Sequence, residues 1–165
     1  WLMTELDKLE IYACALSMPD SKNPICSEWI QEIEHHVKIN HKNEIYLVGH
    51  SLGVTSILRY LETKQNDQPI AGAVLVSGPI EKTRNEKISS FLEKPFDFKK
   101  IKSNCRRFSV IHGDNDSVVS VSNGLTLAKE LGVDLILVPN GVHLNGSAGW
   151  HKLPQCLDAL LEIMK

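Results

Sequence analysis

Cysteine is scarce and scattered: Cys14, Cys26, Cys105 and Cys156 form no C-x-x-C pair. That spacing excludes a zinc ribbon and a thioredoxin-like redox motif, and free thiols in a reducing, cytoplasmic setting are the expectation. His35, His36 and His41 show no H-E-x-x-H or similar spacing, so they read as a solvated face and no metal is expected. Neither G-x-x-x-x-G-K-[ST] nor a G-x-G-x-x-G after a strand occurs, so no nucleotide or dinucleotide cofactor is implied. No apolar run is long enough to span a bilayer. Charge of one sign is missing too: 18 Lys and Arg stand against 20 Asp and Glu, a net charge of −2. Nothing there calls for nucleic acid or an anionic membrane as a partner. Lys99, Lys100, Lys102, Arg106 and Arg107 make a modest basic cluster that reads as a solvated loop. Internal repeats, heptads and low-complexity segments are absent. No signal peptide is visible, although the chain opens on Trp1 and leaves upstream residues unseen.

What is present is a chain of 165 residues, 42% apolar and 23% charged. That length and composition suit one globular domain spanning residues 1–165. Leu2, Leu6 and Leu9 mark an amphipathic helix. Glu10–Leu16 reads as a buried strand. Asn23 with Pro24 suits the start of a helix whose inward face is Trp29, Ile30, Ile33 and Val37. Further strands are expected at Glu44–Gly49, Ile70–Gly78, Arg107–Gly113 and Val133–Pro139. Helices are expected at Leu52–Glu62, at 121–131 and from Pro154, the last burying Leu157, Leu160, Leu161 and Met164. Near-continuous apolar strands alternating with helices predict an α/β fold, a mostly parallel sheet covered on both faces.

Gly49-His50-Ser51-Leu52-Gly53 matches G-x-S-x-G with a strand before it and a helix after it. By chance, about one chain in twenty of this length would carry the pattern, so the flanking elements matter more than the letters. A serine in so tight a turn leaves little room two residues either side, which glycine provides. The N–H of Leu52, at a helix N-terminus, is placed to donate to a developing oxyanion. A nucleophilic serine needs a base, and the base needs an orienting acid. Asp116 follows the fourth strand, with Gly113 making the turn and Val118-Val119 anchoring the loop; Asp114 is the alternative acid. His143 follows the fifth strand beside glycines. His112 and His50 read as packed or hydrogen-bonded residues rather than bases. All three candidates, Ser51, Asp116 and His143, fall after the carboxyl ends of strands, where open α/β sheets place their sites. Asn115-Asp116-Ser117 and Asn145-Gly146-Ser147 match a glycosylation pattern, but both lie in these loops and are taken as chance.

In order, "YLVGHSLG", "VLVSG", "FDFKKIKSNC", "VIHGDNDSVV" and "VPNGVHLN" resemble the small lid-less α/β-hydrolase family that includes the retinoblastoma-binding serine hydrolase and its bacterial relatives. The resemblance covers essentially the whole chain. It implies a three-layer α/β-hydrolase-like fold with Ser51 as nucleophile, Asp116 as acid and His143 as base. The expected activity is a carboxylesterase acting on small esters, less readily amides, with a non-catalytic interaction module as the alternative. Residues 79–106 would be one wall of an open cleft.

Three departures stand out. Pro24-Ile25-Cys26-Ser27-Glu28 lacks the leucine of an L-x-C-x-E motif, so no retinoblastoma-type pocket binding is expected. The histidine stands in Gly141-Val142-His143-Leu144 where the family has G-G-H-F. Family members also begin with a strand and an H-G-type loop ahead of the residue matching Trp1. That loop supplies the second oxyanion N–H, and the strand lies between the equivalents of Glu10–Leu16 and Glu44–Gly49. The resemblance thus implies about 15–20 preceding residues in the natural protein.

Overall fold

The computed structural model describes residues 1–40, 42–64, 68–83 and 85–165. In chain order its regular elements are α1 (Leu2–Asp7), α2 (Cys26–Ile39), β1 (Tyr46–His50), α3 (Leu52–Thr63), β2 (Gly72–Val76), α4 (Ser89–Leu92), α5 (Phe98–Asn104), β3 (Phe108–Gly113), α6 (Val121–Leu131), β4 (Leu135–Val138) and α7 (Pro154–Ile163). The four strands are all parallel, and their order in space, β1-β2-β3-β4, is their order in the chain.

That order settles where the helices go. Every crossover steps the same way along the sheet, and parallel crossovers are right-handed, so α3, α5 and α6 fall on one face. The α2 helix joins them there, inserting Ile33 and Val37 into a core with Val54, Leu58, Leu61, Ile101 and Leu127. The opposite face is covered by the two ends of the chain. Leu6 of α1 and Cys156, Ala159, Leu160 and Ile163 of α7 close over it.

Side chains alternate across the pleat. Ala73, Leu75 and Val110 enter the first core; Val74, Val76 and Ile111 enter the second. A strand buried on both sides has no polar face to display, which is why these segments read as unbroken apolar runs.

Four sequence expectations are corrected. Glu10–Leu16 is not a strand: it pairs with none of the described strands, and Tyr12 is 85% exposed. Glu10 sits at φ 58°, and the N–H of Ile11 turns back to the Leu6 carbonyl. Alternating apolar residues make a strand only when a neighbour completes the ladder. The second helix begins at Cys26 after an extended Ile25, not at Asn23 and Pro24. Asp20 Oδ1 accepts the Asn23 N–H and holds that stretch in a turn. In α7 the buried stripe is Cys156, Ala159, Leu160 and Ile163, while Leu157, Leu161 and Met164 are only partly covered. Finally, α5 is a core crossover helix with Ile101 fully buried, so the excursion from the body is residues 79–97 rather than 79–106.

Candidate active site

β1 ends at His50, and Ser51 reverses the chain into α3 with φ 54° and ψ −120°. Few non-glycine residues adopt such a conformation, and it costs of order 1–3 kcal/mol. The Ser51 N–H donates to the Val76 carbonyl of β2 at 2.9 Å, and the Ser51 carbonyl accepts from Val54 at 3.0 Å, fixing the turn on both sides. Gly49 is required sterically: a Cβ there would stand 2.7 Å from Ile57 Cδ1 and 2.8 Å from the Gly53 carbonyl. Gly53 is not, since a Cβ on it would meet nothing within 4 Å. The crowding expected at both glycines thus falls on one. Leu52 opens α3, so its N–H has no acceptor within the helix and is directed outward at the helix N-terminus.

The loop after β3 carries Asp116, whose carboxylate is removed from solvent. Its Oδ1 accepts the backbone N–H of Val118 at 2.8 Å and of Val119 at 2.9 Å. Its Oδ2 accepts from His143 Nδ1 at 2.7 Å. Desolvation raises the carboxyl pKa, but the hydrogen bonds from His143, Val119 and Val118 outweigh it, and the net shift is downward. Only Val119 anchors this loop in the interior; Val118, expected to share that role, is 69% exposed.

Because a carboxylate can only accept, Nδ1 of His143 carries the hydrogen and Nε2 is left as an acceptor. Ser51 Oγ lies 3.0 Å from that Nε2 and donates to it. The structure therefore brings the three predicted residues into one hydrogen-bonded chain, from hydroxyl through imidazole to carboxylate. Asp114, the alternative acid, is engaged elsewhere: its Oδ1 accepts the Asn140 N–H at 2.8 Å.

The two loops meet backbone to backbone. A Cβ on Gly113 would stand 2.1 Å from the Val142 carbonyl oxygen, so glycine here permits close approach rather than a left-handed turn. Asn115 Oδ1 accepts the Val142 N–H at 2.7 Å, a clamp that the sequence reading missed. His112, buried at the end of β3, contacts the Val119 carbonyl through Nε2 at 2.9 Å, with the same nitrogen 3.5 Å from Asp116 Oδ2. His50 contacts the main-chain carbonyl of His143 through Nε2 at 2.7 Å. Histidine beside a serine motif gives no sequence signal for such roles; only the fold supplies the partners.

Two of the four thiols, Cys105 and Cys156, are buried. Burial pushes the Cys105 thiol up to about 12 and the Cys156 thiol up to about 11, well away from reactive thiolates. Among the described residues no cluster of histidine, cysteine and carboxylate could hold a metal ion, and no helix is long and apolar enough to cross a membrane. His36 of α2 contacts the Glu32 carbonyl; His41 lies outside the described residues.

Comparison with known proteins agrees with this architecture. YdeN of Bacillus subtilis (strain 168) is 31% identical over 161 residues, 97% of this chain and 84% of that protein. The serine hydrolase RBBP9 of Rattus norvegicus is 25% identical over 164 residues, 98% of this chain and again 84% of the relative. The crystal structure of the B. subtilis ydeN gene product superposes with a TM-score of 0.91 at 29% identity, covering 99% of this chain and 88% of that one. The fold is that of the α/β-hydrolases. The sequence profile described as Serine hydrolase matches residues 4–162, nearly all of the 165 residues given, and the chain is a member of that family of hydrolytic enzymes.

Proposed function

We propose that the chain hydrolyses small carboxylic esters, and amides less readily, through a Ser51–His143–Asp116 triad and an acyl-enzyme intermediate. The observation that carries this reading is the unbroken hydrogen-bonded chain at 3.0 Å and 2.7 Å, attached to a serine at φ 54°. His143 Nε2 takes the Ser51 proton as Oγ attacks the carbonyl carbon, then returns it to the leaving alkoxide. A water repeats the sequence and releases the acid. Asp116 holds the imidazole in the tautomer that leaves Nε2 free and stabilises the imidazolium that forms. The Leu52 N–H supplies one donor to the oxyanion, where charge develops in the transition state. No metal or cofactor has a step to perform in this scheme.

Small acyl groups fit the setting better than long chains. The excursion after β2 folds back onto α2 and α3, with Phe91 edge-on to Trp29 at 5.5 Å, rather than extending as a broad lid. The decisive comparison is hydrolysis of a nitrophenyl acetate by the full-length protein and its Ser51→Ala variant. The variant is expected to lose at least about 10⁴-fold in kcat, and a fluorophosphonate probe should label Ser51. Equal rates in the two proteins, with no labelling at Ser51, would leave only a binding role for the scaffold.

A further inference from the structure

His143 stands in a turn closed by one hydrogen bond of its own, from the Leu144 N–H to the Gly141 carbonyl at 3.0 Å. Asn140, Val142 and Leu144 all lie at positive φ, 54°, 51° and 48°, a region that asparagine tolerates but valine and leucine rarely occupy. With two strained residues, Val142 and Leu144, the turn is also tied from outside, and these ties have different jobs. Asp114 Oδ1 on the Asn140 N–H and Asn115 Oδ1 on the Val142 N–H both come from the loop that carries Asp116. They set the imidazole relative to the acid. Neither sets it relative to the nucleophile.

That second distance has one main-chain tie among the described hydrogen bonds. His50, covalently next to Ser51, places its Nε2 2.7 Å from the carbonyl oxygen of His143 itself. A carbonyl only accepts, so Nε2 carries the hydrogen and donates. The His50 ring also lies tilted against the His143 ring, with centroids 4.9 Å apart. We infer that His50 is a positioning residue: by holding the His143 carbonyl from the residue beside the nucleophile, it fixes the distance between Nε2 of His143 and Ser51 Oγ. The inference rests on the triad reading above.

Electrostatics are consistent with a neutral donor. Desolvation lowers the His50 pKa, a hydrogen bond to the His143 carbonyl opposes this, and His143, Asp116 and His112 are the charged or titratable groups facing it. A neutral ring beside His143 does not repel the imidazolium formed when the serine proton is taken up, whereas a second cation at that distance would.

Three variants test the assignment. Gln at position 50 can bring an amide N–H to about where Nε2 lies; Asn stops one methylene short; Phe keeps the ring contact and has no donor. His50→Asn and His50→Phe are expected to lower kcat about 10- to 100-fold, the range produced by small misplacements of a reacting group. KM should stay within about twofold, and His50→Gln should retain kcat within about threefold. Melting temperatures of all three are measured alongside, and the Asn–Gln pair decides the matter even without the Phe variant. The inference is overturned if Asn and Gln behave alike, or if losses appear in KM or melting temperature while kcat is untouched. Ser51→Ala, run in parallel, separates the two ideas. Loss of activity there with no effect at position 50 sinks the positioning role alone, whereas full activity there sinks the triad.

Discussion

Two stretches of irregular backbone lie beyond the sheet, and they are held in different ways. At the carboxyl rim, the loops after β3 and β4 present backbone N–H groups, and side-chain oxygens of Asp114, Asn115 and Asp116 accept them. At the near end of the excursion after β2, Thr55 Oγ1 donates to the Pro79 carbonyl and Asn123 Oδ1 accepts the Ile80 and Glu81 N–H groups, but over residues 91–95 the carbonyls turn toward one donor. Arg59 of α3 donates to the carbonyls of Phe91, Lys94 and Pro95 and pairs with Glu62 at 2.6 Å. Its guanidinium also covers the Phe96 ring at 3.7 Å from the centroid. The rim is strained and its ties are spread over several side chains; the far part of the excursion, residues 91–96, is organised around one cation. Damage to the rim should therefore register in turnover, and damage to the excursion in stability.

The largest expected effect is on the rim. Asp116→Asn keeps an oxygen for the Val118 and Val119 N–H groups but can no longer fix the imidazole tautomer or stabilise its cation. A fall of about 10³- to 10⁴-fold in kcat is expected, with the denaturation midpoint at neutral pH changed far less. The same carboxyl also sets an acid dependence. Its pKa is depressed in the folded protein, so the unfolded chain binds the extra proton between the two values. Stability from this group is complete above the ordinary carboxyl value of 3.8 and is lost as pH falls through the folded value. Denaturation followed against pH should show that loss in the wild type and its absence in Asp116→Asn.

Second in size is the excursion. Arg59→Met removes a largely buried cation that pairs with Glu62 and satisfies inward carbonyls. Leaving those partners uncompensated costs about 3–5 kcal/mol, read as a lower urea midpoint. Turnover of a small ester should stay within about threefold. If Arg59→Met instead lowers kcat as much as Asp116→Asn while leaving stability intact, the division between the two regions fails.

The same contrast explains what could be read from sequence. The four paired strands and the crossover helices α3 and α6 are legible because a parallel sheet writes itself as apolar runs, whereas α5 hides in a polar stretch read as part of the excursion. The order serine, aspartate, histidine, each after a strand, was enough to nominate Ser51, Asp116 and His143. Glu10–Leu16 misled because its pattern fits a strand, while pairing is a property of a neighbour. Arg59 looked like an ordinary helix residue, since the carbonyls it serves lie some 32 to 36 residues further along the chain. Asn115 and His50 were invisible as clamps for a similar reason: their partners are backbone groups, which carry no letter in the sequence.

The smallest effect concerns the second glycine of the motif and tests where the rim stores its crowding. A Cβ at Gly49 would press on Ile57 and on the Gly53 backbone, whereas a Cβ at Gly53 points into open space. Gly53 also lies in the first turn of α3 and shows no positive φ. Alanine loses less backbone entropy than glycine on entering a helix, by about 0.5–1 kcal/mol. Gly53→Ala should therefore raise stability by up to that amount. A fall in the denaturation midpoint of Gly53→Ala comparable to that of Gly49→Ala would mean that both glycines are packed as the motif alone suggests, and that the elbow is tighter than its one steric contact implies.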